Sequence, residues 1–270
     1  MDTSNLPAAI KRLGQNFLID PNIIRKIVSV AALSPKDPVL EIGPGRGILT
    51  AALCQSGCHV TAIEIDPRLH SYLSEQQAGL PNLDLVLGDA MLYPIENLPK
   101  GTVVVANLPY YISTPLLFRL LGHRDRFPRL VLMLQDEVAN RLIANPGTSD
   151  YGMLSVMAQY AADITKAFKV SPNCFRPRPE VGSAVVQLRT KEDHELSPQD
   201  EPRFAAIVKG AFAHRRKTLV NSLRDEGHSQ ETVLEALRCL AISPTARAEV
   251  LSVGDFIGLT RLIPSAAPNG

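Results

Sequence analysis

Asn107-Leu108-Pro109-Tyr110 sets a carboxamide, a proline and an aromatic ring directly after the apolar run Val103-Val104-Val105-Ala106. That run, bounded by Gly101 and Pro109, reads as a fully buried strand, and open α/β sheets bind ligands just beyond the carboxyl ends of such strands. Pro109 pushes Leu108 away from helical geometry and removes a backbone donor, so the loop presents carbonyl acceptors. An acceptor-lined lip with the Tyr110 ring beside it suits a planar group carrying an exocyclic amine, such as adenine. An Asn before Leu-Pro is also ordinary turn chemistry. The strands upstream decide between the two readings.

Pro38-Val39-Leu40-Glu41-Ile42 reads as a strand, Gly43-Pro44-Gly45-Arg46-Gly47 as a glycine loop and Ile48 to Leu53 as a helix. This is a nucleotide-binding start. Its G-x-G-x-G spacing fits neither the G-x-G-x-x-G dinucleotide fingerprint nor a P-loop, which disfavours phosphate chemistry. The next strand, His59 to Glu64, ends in an acid about twenty residues beyond the glycines, where a carboxylate can accept from both ribose hydroxyls. A third strand, Leu83 to Leu87, precedes Gly88-Asp89-Ala90; Asp89 can accept from an adenine amino group and Met91 can pack on its ring. Each acid alone would be a cap or a solvated loop residue. Together, glycines after strand one, acids after strands two and three, and Asn-x-Pro-Tyr after strand four line one edge of a parallel sheet.

Further strands are expected at 130–134, at about 163–170 and at 183–188, the last two joined only by a loop and hence antiparallel. That loop, Pro172 to Val181, is stiffened by prolines and carries Phe175, either a hydrophobic plug or a second ring opposite Tyr110 for a base to sit between. Helices are expected at 21–32, 137–144 and 151–161. After the polar stretch Lys191 to Asp200, four helical stretches occupy roughly 201–263. The domains are therefore 1–192, an α/β sheet domain, and 193–270, a separate all-helical one.

A chain of 270 residues with 45% hydrophobic content and net charge +1, and mean hydropathy near zero, fits a soluble, cytoplasmic globular protein. No membrane span and no cleavable leader are expected. Four scattered cysteines read as free thiols and supply no metal site. The neutral total conceals a run without acids from Arg203 to Arg224, holding Arg203, Lys209, Arg215, Arg216, Lys217 and Arg224. A solvated face is the bland reading; RNA phosphate contacts are the one favoured here.

Gly14-Gln15-Asn16-Phe17-Leu18, Glu41-x-Gly43-x-Gly45-x-Gly47, Glu64, Gly88-Asp89, Asn107-Leu108-Pro109-Tyr110, Phe175-x-Pro177-x-Pro179-x-Val181 and Arg215-Arg216-Lys217 occur in this order. In this the chain resembles, nearly end to end, the ribosomal RNA adenine N6,N6-dimethyltransferases, the bacterial small-subunit (16S) branch above all. The resemblance implies a Rossmann-like, seven-stranded methyltransferase sheet, mostly parallel, with a small helical C-terminal domain. It implies S-adenosylmethionine as methyl donor, contacted at Asn16, Leu18, Gly43, Glu64, Asp89 and Asn107, with Gly45 in the same loop. It further implies an enzyme that dimethylates two adjacent adenosines in a hairpin loop near the 3′ end of 16S rRNA, with Arg215, Arg216 and Lys217 on the RNA; a monomer is expected. One departure is Gly182, where the family usually has Asp.

The N6 amine is a poor nucleophile because its lone pair is delocalised into the ring. The Asn107 side-chain oxygen and the Leu108 carbonyl are expected to accept its two N–H bonds, while Tyr110 and Phe175 hold the ring for in-line attack. No side-chain base is required, so His123 and His214 are not candidates. Two rivals are a large-subunit rRNA adenine N6-methyltransferase of the same fold and a non-catalytic RNA-binding assembly factor.

Overall fold

A computed structural model describes residues 7–10, 14–76, 79–193, 195–214 and 216–264; Arg215 lies outside them. The chain divides into two compact units, Met1–Ala139 with Ala162–Lys191, and Asn140–Ala161 with Glu192–Gly270.

The first unit starts with a two-residue strand, β1 (Phe17–Leu18), and a helix, α1 (Pro21–Ala31). Asp20 caps α1 by accepting from the Asn22 N–H at 2.8 Å, and proline at the first turn costs no hydrogen bond. Its buried face, Ile23, Ile24, Ile27 and Ala31, recurs at helical spacing. There follow β2 (Pro38–Ile42), α2 (Ile48–Gln55), β3 (His59–Glu64), α3 (Pro67–Gln76), β4 (Leu83–Leu87), β5 (Val103–Asn107), α4 (Ser113–Gly122) and β6 (Arg129–Gln135). Then come α5 (Asp136–Leu142), α6 (Met153–Ala161), β7 (Ala162–Val170), β8 (Phe175–Arg176) and β9 (Ser183–Thr190).

Seven strands form one sheet in the order β4-β3-β2-β5-β6-β9-β7. The pairs from β4 through β6 are parallel, while β9 runs antiparallel to both β6 and β7. The last strand is thus inserted between its two predecessors, which the loop-joined pair alone did not foretell. Register places Ile42 beside Ile63 and Ala106, Glu64 beside Leu87, and Asn107 beside Met133. The carboxyl ends of β2 to β5 therefore share one edge. A separate two-stranded ladder pairs Leu18 with Phe175 and Phe17 with Arg176, tying the 172–181 loop to the segment before α1.

The second unit holds α6 and, after residue 192, α7 (Glu201–Phe212), α8 (Leu219–Asp225), α9 (Gln230–Cys239) and α10 (Val253–Leu262). Residues 140–161, expected within the 1–192 domain, group instead with the later helices. They belong with the helices because Tyr151 donates to the Leu251 carbonyl at 2.8 Å, Tyr160 lies 4.4 Å ring to ring from Phe204, and Val156 shares a core with Ile207, Leu223 and Phe256. Such contacts leave no trace in local periodicity.

Candidate active site

The shared edge borders a hollow of about 760 Å³, open to solvent on one side, in the first unit. Glu64, Gly43, Gly45, Asp89 and Asn16 line it, and so do Asn107, Leu108, Pro109, Tyr110 and Phe175. An adjoining cavity of about 400 Å³ shares Phe17, Gly43, Gly45 and Asn107 with the first and adds Leu18 and Glu41. All the expected sheet-domain site residues therefore meet in two contiguous hollows. Met91 is an exception among the suggested contacts, since Ile65 and Ala90 form the apolar wall beside Asp89.

The glycine loop is shaped by close approach. Gly45 has φ +60°, and a Cβ there would lie 3.1 Å from the Phe17 ring, so only glycine fits without displacing it. The Gly45 N–H is aimed at Glu64 Oε2 at 3.1 Å, and the Asp66 N–H at Oε1 at 2.9 Å. Burial of Glu64, only 3% exposed, pushes its carboxyl upward, and these two backbone donors oppose the shift. Asp66 is held down at about 2, first by the Arg68 guanidinium.

The segment ahead of β1 is fastened around this end. Gln15 donates to Asp66 Oδ2 at 3.0 Å, Arg68 to the Ala8 carbonyl at 3.2 Å and Arg46 to the Pro7 carbonyl at 3.1 Å. The Arg46 guanidinium also lies 4.4 Å from the Phe17 ring centre, a cation–π geometry. Sequence reasoning missed these fasteners; the clustered amides and aromatic at 15–17 were their only signal.

At the other end Asn107 donates its Nδ2 to the Asn16 carbonyl at 3.3 Å. A carbonyl can only accept, so this contact identifies the nitrogen of the amide and leaves Oδ1 as its acceptor atom. The Tyr110 hydroxyl pairs with Ser183 Oγ at 2.8 Å, and Ser183 is 1% exposed at the start of β9. Burial raises the Tyr110 phenol while the Ser183 bond opposes it. Phe175, 1% exposed, is part of the sheet's core, as a hydrophobic plug would be, and also lines the cavity. At Gly182 an added Cβ meets only ordinary contact, with the Val170 carbonyl 3.7 Å away. The family's usual Asp would find room there.

Glu41 forms the floor of the adjoining cavity at 1% exposure. Burial raises its carboxyl to about 8, and Glu64 adds to the shift. The Thr50 hydroxyl opposes it but falls short of hydrogen-bond geometry, leaving Oε2 and Thr50 Oγ1 without partners among the described residues. Among the described residues no group of three or more His, Cys, Asp or Glu is placed to hold a metal ion.

In the helical unit, the expected basic run is partly neutralised. Lys217 and Arg224 share Asp225, and Arg203 is held by Asp200 at 2.8 Å and the Thr260 carbonyl at 3.0 Å. Lys209 and Arg216 are exposed.

A seven-stranded sheet whose parallel strands deliver glycines, acids and an Asn-x-Pro-Tyr lip to one edge defines a Rossmann-like methyltransferase. The description of ribosomal RNA adenine dimethylases matches residues 8–264, and the chain belongs to that family. The ribosomal RNA small subunit methyltransferase A of Chlamydia muridarum is 44% identical over 94% of this chain and 92% of its own. That of Geobacter metallireducens is 43% identical over 94% of both. Among solved structures, a dimethyladenosine transferase from Plasmodium falciparum superposes with TM-score 0.80 at 31% identity over 92% of this chain and 99% of its own. The 23S rRNA methyltransferase ErmE does so with TM-score 0.72 at 29% identity over the same shares.

The chain is thus an S-adenosylmethionine-dependent enzyme of rRNA adenine dimethylation. The chemistry of the cavity lining fits that donor: two carboxylates, Glu64 and Asp89, can accept from hydroxyl and amine groups, and Gly43, Gly45 and Ile65 leave room for an apolar ring between them.

Proposed function

We propose that the chain methylates N6 of two adjacent adenosines in a hairpin loop near the 3′ end of small-subunit rRNA, acting as a monomer in the cytoplasm during small-subunit assembly. The naming of the Chlamydia and Geobacter relatives supports the small-subunit target. When bound, S-adenosylmethionine supplies an electrophilic methyl group on its sulfonium. Glu64 takes the ribose hydroxyls and Asp89 the adenine amine of the donor, with Asn16, Leu18, Gly43, Gly45 and Asn107 completing its site.

The observation that carries the chemistry is the orientation of Asn107. With Nδ2 committed to the Asn16 carbonyl, Oδ1 is left to accept from the target amine. Together with the Leu108 carbonyl it draws that nitrogen toward a tetrahedral, localised lone pair, while Tyr110 and Phe175 hold the base. The methylated nitrogen is strongly acidic and releases its proton to water, so no buried base is needed. A monomethylated amine keeps one N–H, which either acceptor can hold for the second transfer.

Mass spectrometry of small-subunit rRNA from a strain lacking the chain should show two adjacent unmethylated adenosines, restored by adding protein and donor to isolated small subunits. Methylation of large-subunit particles instead would favour the ErmE-like reading, and binding without transfer a non-catalytic assembly role. We assign Arg215, Arg216 and Lys217 to rRNA phosphates. Replacing all three should lower the salt slope of particle binding by roughly 2 units, since each phosphate contact contributes nearly one and Lys217 is already shared with Asp225. An unaltered slope would make the run a solvated face.

A further inference from the structure

Tyr110 and Tyr111 are adjacent and both line the larger cavity, yet their surroundings differ. Tyr110 is tethered to Ser183. Tyr111 is 51% exposed, and its ring closes over Gly14, where an added Cβ would start 3.5 Å from Tyr111 Cδ1. Partial burial, with the nearby Asp89 and Glu64 carboxylates adding to it, raises its phenol above the ordinary value. The ring lines the same cavity as Gly14, Glu64, Asp89 and Ile65, with half its surface in solvent.

A half-exposed aromatic on a cavity wall leaves apolar surface in water until a ligand covers it, and a flat heteroaromatic ring is the ligand whose face matches best. We propose that Tyr111 is a donor-binding residue whose ring forms the outer wall against the adenosyl group of S-adenosylmethionine and of its product S-adenosylhomocysteine. This rests on the reading of Glu64 and Asp89 as the adenosine-binding acids. The wall acts chiefly on dissociation, because a ring at the mouth must swing aside before the adenosyl group leaves. Dimethylating one base takes two donors, so product exit recurs within each cycle and Tyr111 sets its pace. The neighbouring tyrosines are thereby divided between the two substrates.

Calorimetry and stopped-flow dissociation of S-adenosylhomocysteine, with the full chain and no RNA, test this. Tyr111→Ala should weaken affinity about tenfold, the scale of a lost aromatic stacking face, mostly through faster dissociation. Tyr111→Phe should stay within about twofold. Glu64→Ala, measured alongside, should also weaken binding. Unchanged affinity in Tyr111→Ala with a weakened Glu64→Ala overturns the inference and leaves the donor site standing. Unchanged affinity in both overturns the donor-site reading and this inference with it. A Tyr111→Phe as weak as Tyr111→Ala overturns the wall, since the hydroxyl would then be the group at work. Thermal melts of this exposed position check that each variant is folded.

Discussion

Glu64 accepts two backbone N–H bonds and lies almost wholly buried, whereas Asn107 and Tyr110 are each positioned by one side-chain contact, to the Asn16 carbonyl and to Ser183. The end assigned to the donor is thus built from backbone donors and a buried acid on rigid strand ends. The end assigned to the target base is built from the half-buried side chains of Asn107 and Tyr110, each held by a single contact. The contrast teaches that the two ends should fail differently. Damage to the first should appear as lost donor affinity, and damage to the second as lost turnover.

The largest effect is expected at Asn107. Asn107→Ala removes a preorganised acceptor for the reacting amine, which typically costs about 10²–10³ in turnover. RNA binding should persist, as filter binding would show; normal turnover would dissolve the contrast at its sharper end. Next comes Glu64→Ala, expected to weaken donor binding by ~1.5–3 kcal/mol, the range for hydrogen bonds to a charged group. Unchanged affinity by calorimetry would remove Glu64 from the ribose.

Glu41 sharpens the comparison through stability. Its folded carboxyl keeps a proton up to about 8, whereas in the unfolded chain the ordinary carboxyl releases it near 4.5. The folded state thus binds more protons between those values, so stability falls as pH rises from about 4.5 to 8. Glu41→Gln should remove a decline of at least ~1 kcal/mol across that window, seen as a smaller loss of melting temperature between pH 5 and pH 8 than in the parent. An identical pH dependence in variant and parent would show that Glu41 is not buried as a neutral group.

The smallest effect belongs to Tyr110→Phe, which keeps the ring but loses the Ser183 tether. It should retain activity within roughly tenfold, while Tyr110→Ala loses a stacking face worth about 1–3 kcal/mol per base. Equal inactivity of the two, both folded and donor-bound, would make the hydroxyl the working group.

The sheet edge was legible because strand ends, glycines and acids recur in a fixed order, and parallel strands bring like ends together. Gly43, Glu64, Asp89 and Asn107 could be placed on that ground alone. Insertion of β9 between β6 and β7, and the packing of 140–161 with the later helices, depend on long-range contacts that local periodicity does not encode. The Phe17 and Phe175 segments pair over only two residues, too short for any alternation to register. Tyr111 escaped notice for another reason: its neighbour Tyr110 already explained an aromatic at that loop, and only the fold shows the second ring turned over Gly14.

The central claim, that Asn107 acts on the target amine while Glu64 holds the donor, is tested most directly by single-turnover methylation of small-subunit particles at increasing donor concentration. The account predicts that saturating S-adenosylmethionine restores Glu64→Ala to near the parent rate and leaves Asn107→Ala about 10²–10³ slower. Recovery of Asn107→Ala at high donor, with Glu64→Ala remaining slow, would contradict it.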